Sequence, residues 1–172
     1  MHDSDIVGLK FDELYRSGTD LLHHGRAEES LPRLEQAHEL DNSHLDTALN
    51  LSGAYILTKR FEKAVAVLEP LSQQSPDNVM VWTNLGAAYL GNPILAQDED
   101  QLRAIAAFKK ALAVNPAAPN VAYNMGLIYR DRKEIEEAQY WFKQAIKANP
   151  NDDHARRIYA QLVESDESDS PD

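Results

Sequence analysis

The strongest constraint on this chain is a spacing that recurs. Tyr55, Tyr89 and Tyr129 stand 34 and then 40 residues apart. Leu51, Leu85 and Met125 keep the same two intervals, as do Ser52, Gly86 and Gly126. Ala64, Ala104 and Ala138 reverse the order, 40 and then 34, and Pro76, Pro116 and Pro150 follow them. One period of 34 residues explains both orders if six extra residues enter the third unit between Tyr89 and Ala104. A period of this length marks a repeat architecture, in which a small unit buries its apolar face only by stacking on its neighbours. Counting backward gives a first unit, with Gly18 at the small position, Leu21 at the Tyr, Leu34 at the large apolar position and Ala37 at the later Ala.

Each unit reads as two helices. Trp82, Leu85 and Tyr89 carry the helical spacing in a first helix; Ala104, Phe108, Ala111 and Leu112 carry it in a second. Turn signals separate the two at His24-Gly25, Lys59-Arg60, Gly91-Asn92-Pro93 and Asp131-Arg132. Pro76, Pro116 and Pro150 follow the second helices, where a residue without N–H stops a helix. Ser43, three residues before Asp46, predicts an acidic capping box, and Asp98 before Gln101 predicts a cap for the helix after the insertion. Pro32 fits a second helix only if that helix starts near Ser30. Small residues at Gly18, Ser52, Gly86 and Gly126, and at Ala64, Ala104 and Ala138, predict close helix crossings, with Tyr89, Phe108, Tyr129 and Phe142 filling the gaps between units.

Composition removes several function classes. The chain has 172 residues and no Cys, which excludes disulfides, thiolate metal sites and cysteine nucleophiles. The formal charge is −11, concentrated at the ends: Asp3, Asp5, Glu164, Asp166, Glu167, Asp169 and Asp172. A nearly balanced body with acidic ends argues against a nucleic-acid partner and against an anionic membrane. No apolar run approaches the roughly 20 residues of a membrane span, and the start lacks the pattern of a secretory signal, so a cytoplasmic location is expected. Among six His, His23 and His24 are adjacent, His38 and His44 straddle a helix end, and no pair has one-turn metal spacing; no metal and no cofactor are expected. Nucleotide-binding glycine loops and the serine-nucleophile elbow are both missing. Glu134, Glu136 and Glu137 open a helix, where the dipole favours acids, so they read as structural rather than catalytic. The chain is not expected to be an enzyme.

The pattern W-x2-L-G-x2-Y followed by A-x3-F-x2-A-x4-P resembles the tetratricopeptide repeat. Trp82, Leu85, Gly86, Tyr89, Ala104, Phe108, Ala111 and Pro116 carry it in the third unit. Met125, Gly126, Tyr129, Ala138, Phe142, Ala145 and Pro150 carry it in the fourth, and Leu51, Ser52, Tyr55, Ala64, Leu68, Leu71 and Pro76 in the second. The first unit departs from it, with Ser30 for the Ala and Asn42 for the Pro. The resemblance implies an all-α fold, a right-handed superhelix (an α-solenoid) of four helix-turn-helix repeats. The units are 11–44, 45–78, 79–118 with the insertion, and 119–152, after an N-terminal extension over 1–10. Residues 153–164, with Ala155, Ile158, Tyr159 and Leu162, read as a capping helix, and 165–172 as an acidic disordered tail.

In the resembled family the first helices line a concave groove that grips a peptide or helix of a partner. Counting from Phe11, Leu45, Val79 and Pro119 gives its rows. One row is Asp12, Asp46, Met80 and Asn120; the next is Tyr15, Leu49, Thr83 and Tyr123. A third is Arg16, Asn50, Asn84 and Asn124; a fourth is Thr19, Gly53, Ala87 and Leu127, with Arg130 one turn deeper. An Asn amide offers a donor and an acceptor, so the Asn row would pair with an extended backbone; the alternative is that it only bonds helix to helix. The cations of a clamp for a chaperone's C-terminal carboxylate are missing from these rows apart from Arg16 and Arg130. Leu49, Met80, Leu127, Tyr15 and Tyr123 make the surface neutral and partly apolar, and Met80 would adapt to varied partners. Three functions follow: a scaffold holding a protein segment in the groove, a small acidic chaperone for an aggregation-prone client, or a unit that polymerises through its ends. A capping helix argues against the last, so a monomer is expected. Ile94 and Leu95 in the insertion read as tucked under the loop or as an edge contact.

Overall fold

The computed structural model describes residues 3–92 and 96–169, with side chains over 6–92 and 96–165. Among the described residues there are nine helices and no strand. They are α1 (Asp3–His23), α2 (Ala27–Leu40), α3 (Leu45–Leu57), α4 (Phe61–Gln74), α5 (Val79–Leu90), α6 (Asp98–Val114), α7 (Val121–Asp131), α8 (Ile135–Ala148) and α9 (Asp153–Asp169). Consecutive helices pack as hairpins, and each hairpin stacks on the next, so the chain is an all-α solenoid.

The repeat positions become the crossings. A Cβ on Gly86 would stand 2.5 Å from the Phe108 ring, one on Gly18 would stand 2.8 Å from Leu34, and one on Gly126 would stand 3.0 Å from Phe142. Ala64, Ala104 and Ala138 are fully buried on the partner helices. The core runs along the stack in three clusters, the first around Leu34, Leu51 and Leu68, the second around Phe108, Val121 and Met125, the third around Phe142, Ala155 and Ile158.

Helix ends follow local chemistry. Ser75, Asn115 and Asn149 adopt extended or bent backbone after α4, α6 and α8, and each precedes a Pro, whose ring disfavours helical backbone before it. The first unit has no such Pro, yet Asp41 ends α2 in the same conformation, its carboxylate accepting from Ser43 N at 2.9 Å. An Asx turn there replaces the ring. Within the hairpins, Gly25, Lys59 and Lys133 occupy one repeat position and all have φ between 60° and 74°.

Several local expectations change. The extension over 1–10 is helical from Asp3 onward and continuous with the first unit. Pro32 lies inside α2, which starts at Ala27 rather than near Ser30. The ring is exposed, and it lacks the N–H that would bond the carbonyl of Glu28. The cap of α3 is His44, whose Nδ1 accepts from Thr47 N at 3.2 Å, while Ser43 turns back to Asp41. Gln97 rather than Asp98 precedes α6, and its N–H donates to Asp100 Oδ2 at 3.1 Å. The tail is helical through Asp169 as part of α9. The readings for Ile94 and Leu95, and for Ser170 to Asp172, lie outside the described residues.

Candidate functional site

Among the described residues, side chains bond across the first helices over the first three units only. Asn50 Nδ2 on α3 donates to Thr19 Oγ1 on α1 at 3.0 Å. Asn84 Nδ2 on α5 reaches Ser52 Oγ on α3 at 3.5 Å, the outer limit of such a bond. At the far end the Tyr123 hydroxyl on α7 lies 2.5 Å from His154 Nδ1 on α9. Among the described residues no side-chain hydrogen bond crosses from α5 to α7. The repeat explains the gap. Thr19 and Ser52 offer hydroxyls, but the corresponding positions facing α7 are Ala87 and Gly86, which offer none. Asn124 is half-buried; its N–H donates to Asn120 O at 2.9 Å, but its side-chain amide has no hydrogen-bond partner among the described residues.

The remaining candidates divide into support and surface. Tyr15 and Phe11 are stacked, and both rings meet the His44 imidazole edge-on at 5.0 Å, so Tyr15 braces α1 against α3. Thr83 returns its hydroxyl to Val79 O at 2.9 Å. Leu127 packs beside the third core cluster, and Tyr123 meets Phe142 edge-on at 5.7 Å. Burial, reinforced by the Asp152 carboxylate, pushes the Tyr123 hydroxyl above its ordinary pKa. Arg130 pairs with Asp131 at 2.7 Å, so it presents a compensated charge. Arg16 is exposed, and Met80 is 55% exposed.

Two candidates are not where the counting put them. Leu49 is only 7% exposed and belongs to the core, because α3 is turned to bury it against its neighbours. Asn120 is not on a helix face: it stands before α7 in left-handed backbone, φ 62°, and is exposed.

Gly53, which lies in the fourth row, differs from the crowded glycines Gly18, Gly86 and Gly126. A Cβ there would meet nothing within 4 Å. No neighbour in the fold requires a Gly in the middle of α3, where it weakens the helix by about 1 kcal/mol relative to Ala. His44 and His154 also escaped the counting, since each acts at a helix start rather than in a repeat row. Among the described residues no group of three His, Asp or Glu could hold a metal, and no helix is long and apolar enough to cross a membrane.

A tetratricopeptide repeat profile matches residues 21–89 and 95–162. The chain belongs to the tetratricopeptide repeat family. Solved structures agree. One MamA structure is 27% identical over 93% of this chain and 88% of its own, with a TM-score of 0.73. A thermophilic tetratricopeptide repeat protein of Thermus thermophilus, 22% identical, covers 90% of this chain and 82% of its own at a TM-score of 0.75, a likeness of fold alone. Among curated proteins, the photosystem I assembly protein Ycf3 of Prochlorococcus marinus (strain NATL2A) is 38% identical over 71 residues, 37% of this chain and 38% of Ycf3. The human protein O-mannosyl-transferase TMTC3 is 23% identical over 124 residues, 72% of this chain and 13% of that protein. The chain thus spans well under half the length of these curated relatives. The tetratricopeptide fold supports a general role as a scaffold for protein–protein interaction.

Proposed function

We propose that this tetratricopeptide protein holds an extended or helical segment of a partner protein against the face of its first helices, and that the Asn124 amide is its polar anchor. The observation that carries this reading is the break in the Asn ladder. Asn50 and Asn84 spend their amides on the stack, and Asn124, at the same repeat position, does not. A half-buried amide with one donor group and one acceptor free can pair with both the N–H and the C=O of a visiting backbone. Gly53 supports the same reading, because a helix-weakening residue with open space above it leaves room for close backbone approach. Met80 adds exposed, adaptable apolar surface.

The partial likeness to an assembly protein, Ycf3, supports a transient client over a permanent subunit. The protein would then act as a monomeric, non-enzymatic assembly scaffold. α9 favours the monomer, since it buries Ala155, Ile158 and Leu162 over the last unit and so covers that end of the stack.

The test places a photo-reactive phenylalanine analogue at Met80 or, as a control away from this face, at Glu99, in the cell of origin. The expected result is a partner adduct from Met80 alone, lost when Asn124→Ala is added while the melting temperature stays put. Equal adducts from both positions, or adducts indifferent to Asn124→Ala, would reject the reading.

A further inference from the structure

One repeat position on the second helices, five residues after Ser30, Ala64, Ala104 and Ala138, reads Glu35, Glu69, Lys109 and Lys143. The charge reverses halfway down the stack. The two acids are engaged: Glu35 accepts from the Tyr55 hydroxyl and from Lys63, and Glu69 from the Tyr89 hydroxyl and Arg103. Lys109 and Lys143 are exposed, and among the described residues neither has an ion-pair partner. Although the chain carries −11, no Asp or Glu occurs from Gln101 to Arg130, nor from Ala138 to Asn151. The helix dipole favours late cations in α6 and α8. It does not set the pattern alone, because α2 carries Glu39 in its last turn and α4 has Lys63 early and Glu69 late.

Every lining residue of one cleft comes from these two acid-free stretches. Between the end of α6, the α6–α7 connection and α8, with Ala122 of α7 at its wall, lies an open cavity of about 460 Å3, lined also by Leu112, Tyr140, Trp141 and Gln144, with Lys147 as its one charged lining residue. Tyr140 is 56% exposed and meets the Trp141 ring edge-on at 5.1 Å. Lys143 and Lys147 follow Tyr140 by three and seven residues, so they continue its stripe along α8.

We propose that this cleft is a second docking site, separate from the first-helix face, for an acidic protein segment that carries an aromatic or bulky aliphatic anchor. The anchor lies against Tyr140 and Trp141, and the flanking carboxylates face Lys143, Lys147 and Lys109. Charge complementarity commits the occupant. The whole molecule repels acids, so only a locally positive, acid-free cleft can hold one, and such binding weakens with salt.

The test uses the full chain and a labelled peptide with a Phe-Leu pair flanked on both sides by Glu and Asp, read by fluorescence anisotropy. Saturable binding is expected that falls with salt. It should drop about tenfold in Lys143→Glu/Lys147→Glu and in Tyr140→Ala, and stay unchanged in Asn124→Ala. All of these side chains except that of Asn124 are well exposed, and circular dichroism checks that each variant folds. Absence of binding would overturn the proposal, as would equal affinity in the Lys variant or loss in Asn124→Ala. Tighter binding of a single-stranded oligouridylate than of the peptide would also overturn it, in favour of a nucleic-acid site.

Discussion

A Cβ added to Gly86 would lie 2.5 Å from Cε1 of Phe108, well inside the van der Waals contact distance to a fully buried ring. Phe108 cannot swing away, because its cluster includes Val121, Met125 and Ile128 of the next unit. Gly86→Ala should therefore destabilise the fold by about 1–3 kcal/mol, although Ala is the better helix former. Gly126→Ala, where the clearance to Phe142 is 3.0 Å, should cost less. Urea unfolding of the two variants checks the order; a stabilised Gly86→Ala would contradict the crossing.

Gly53→Ala should have the opposite sign. Nothing stands within 4 Å of the new methyl, so the helix gains up to about 1 kcal/mol. If a partner backbone approaches here, the same methyl weakens its binding. Stability rising while affinity for the partner captured at Met80 falls is the expected pair of results. Affinity rising with stability would argue against close approach.

Asn50 and Asn124 should separate stacking from binding. Asn50→Ala leaves Thr19 without its 3.0 Å partner and should cost about 1 kcal/mol of stability. Asn124→Ala removes no internal side-chain bond and should leave the unfolding free energy within about 0.5 kcal/mol of the parent's. Chemical denaturation of both variants, beside a partner-binding assay, distinguishes the two roles.

Acid should destabilise the protein in two steps. Burial holds His38 below its usual pKa, and its Nδ1 has no hydrogen-bond partner among the described residues. The unfolded chain then takes up the proton first, so stability is whole above about pH 6.5 and declines below it. The Tyr55 hydroxyl at 2.6 Å, with Lys63 at 3.3 Å, holds the Glu35 carboxyl below the ordinary carboxylate range. Its contribution is present above about pH 4.3, the unfolded value, and is lost as pH falls through the lower folded value. His38→Gln should flatten the first step and Tyr55→Phe the second, read from urea unfolding across a pH series.

The last helix should matter in its first three turns only. Leu162 is 8% exposed in the cluster that includes Phe142 and Ile158, so Leu162→Ala should cost about 2–4 kcal/mol. Ending the chain after Ser165 should leave the melting temperature nearly unchanged. Ending it after Asp152 should lower it sharply, because the third cluster loses Ala155, Ile158 and Leu162 together. Differential scanning calorimetry of the two truncations tests this.

What the sequence alone determined is the periodic part. Spacings of 34 residues place small residues opposite rings, as Gly86 faces Phe108 and Gly126 faces Phe142, and such pairs recur because every hairpin solves the same packing problem. The stack, the hairpin turns and the helix stops before Pro76, Pro116 and Pro150 were all readable in that way. Departures from period were not. His44 replaces Ser43 as a cap, Asn120 turns off its helix into left-handed backbone, and Leu49 rotates into the core; each depends on the angle at which one helix leaves its neighbour. The status of the Asn row was likewise decided only in three dimensions. Asn50, Asn84 and Asn124 are one letter in one register, yet an amide bonds or stays free according to what the preceding helix sets before it, here Thr19, Ser52 and then no hydroxyl at all.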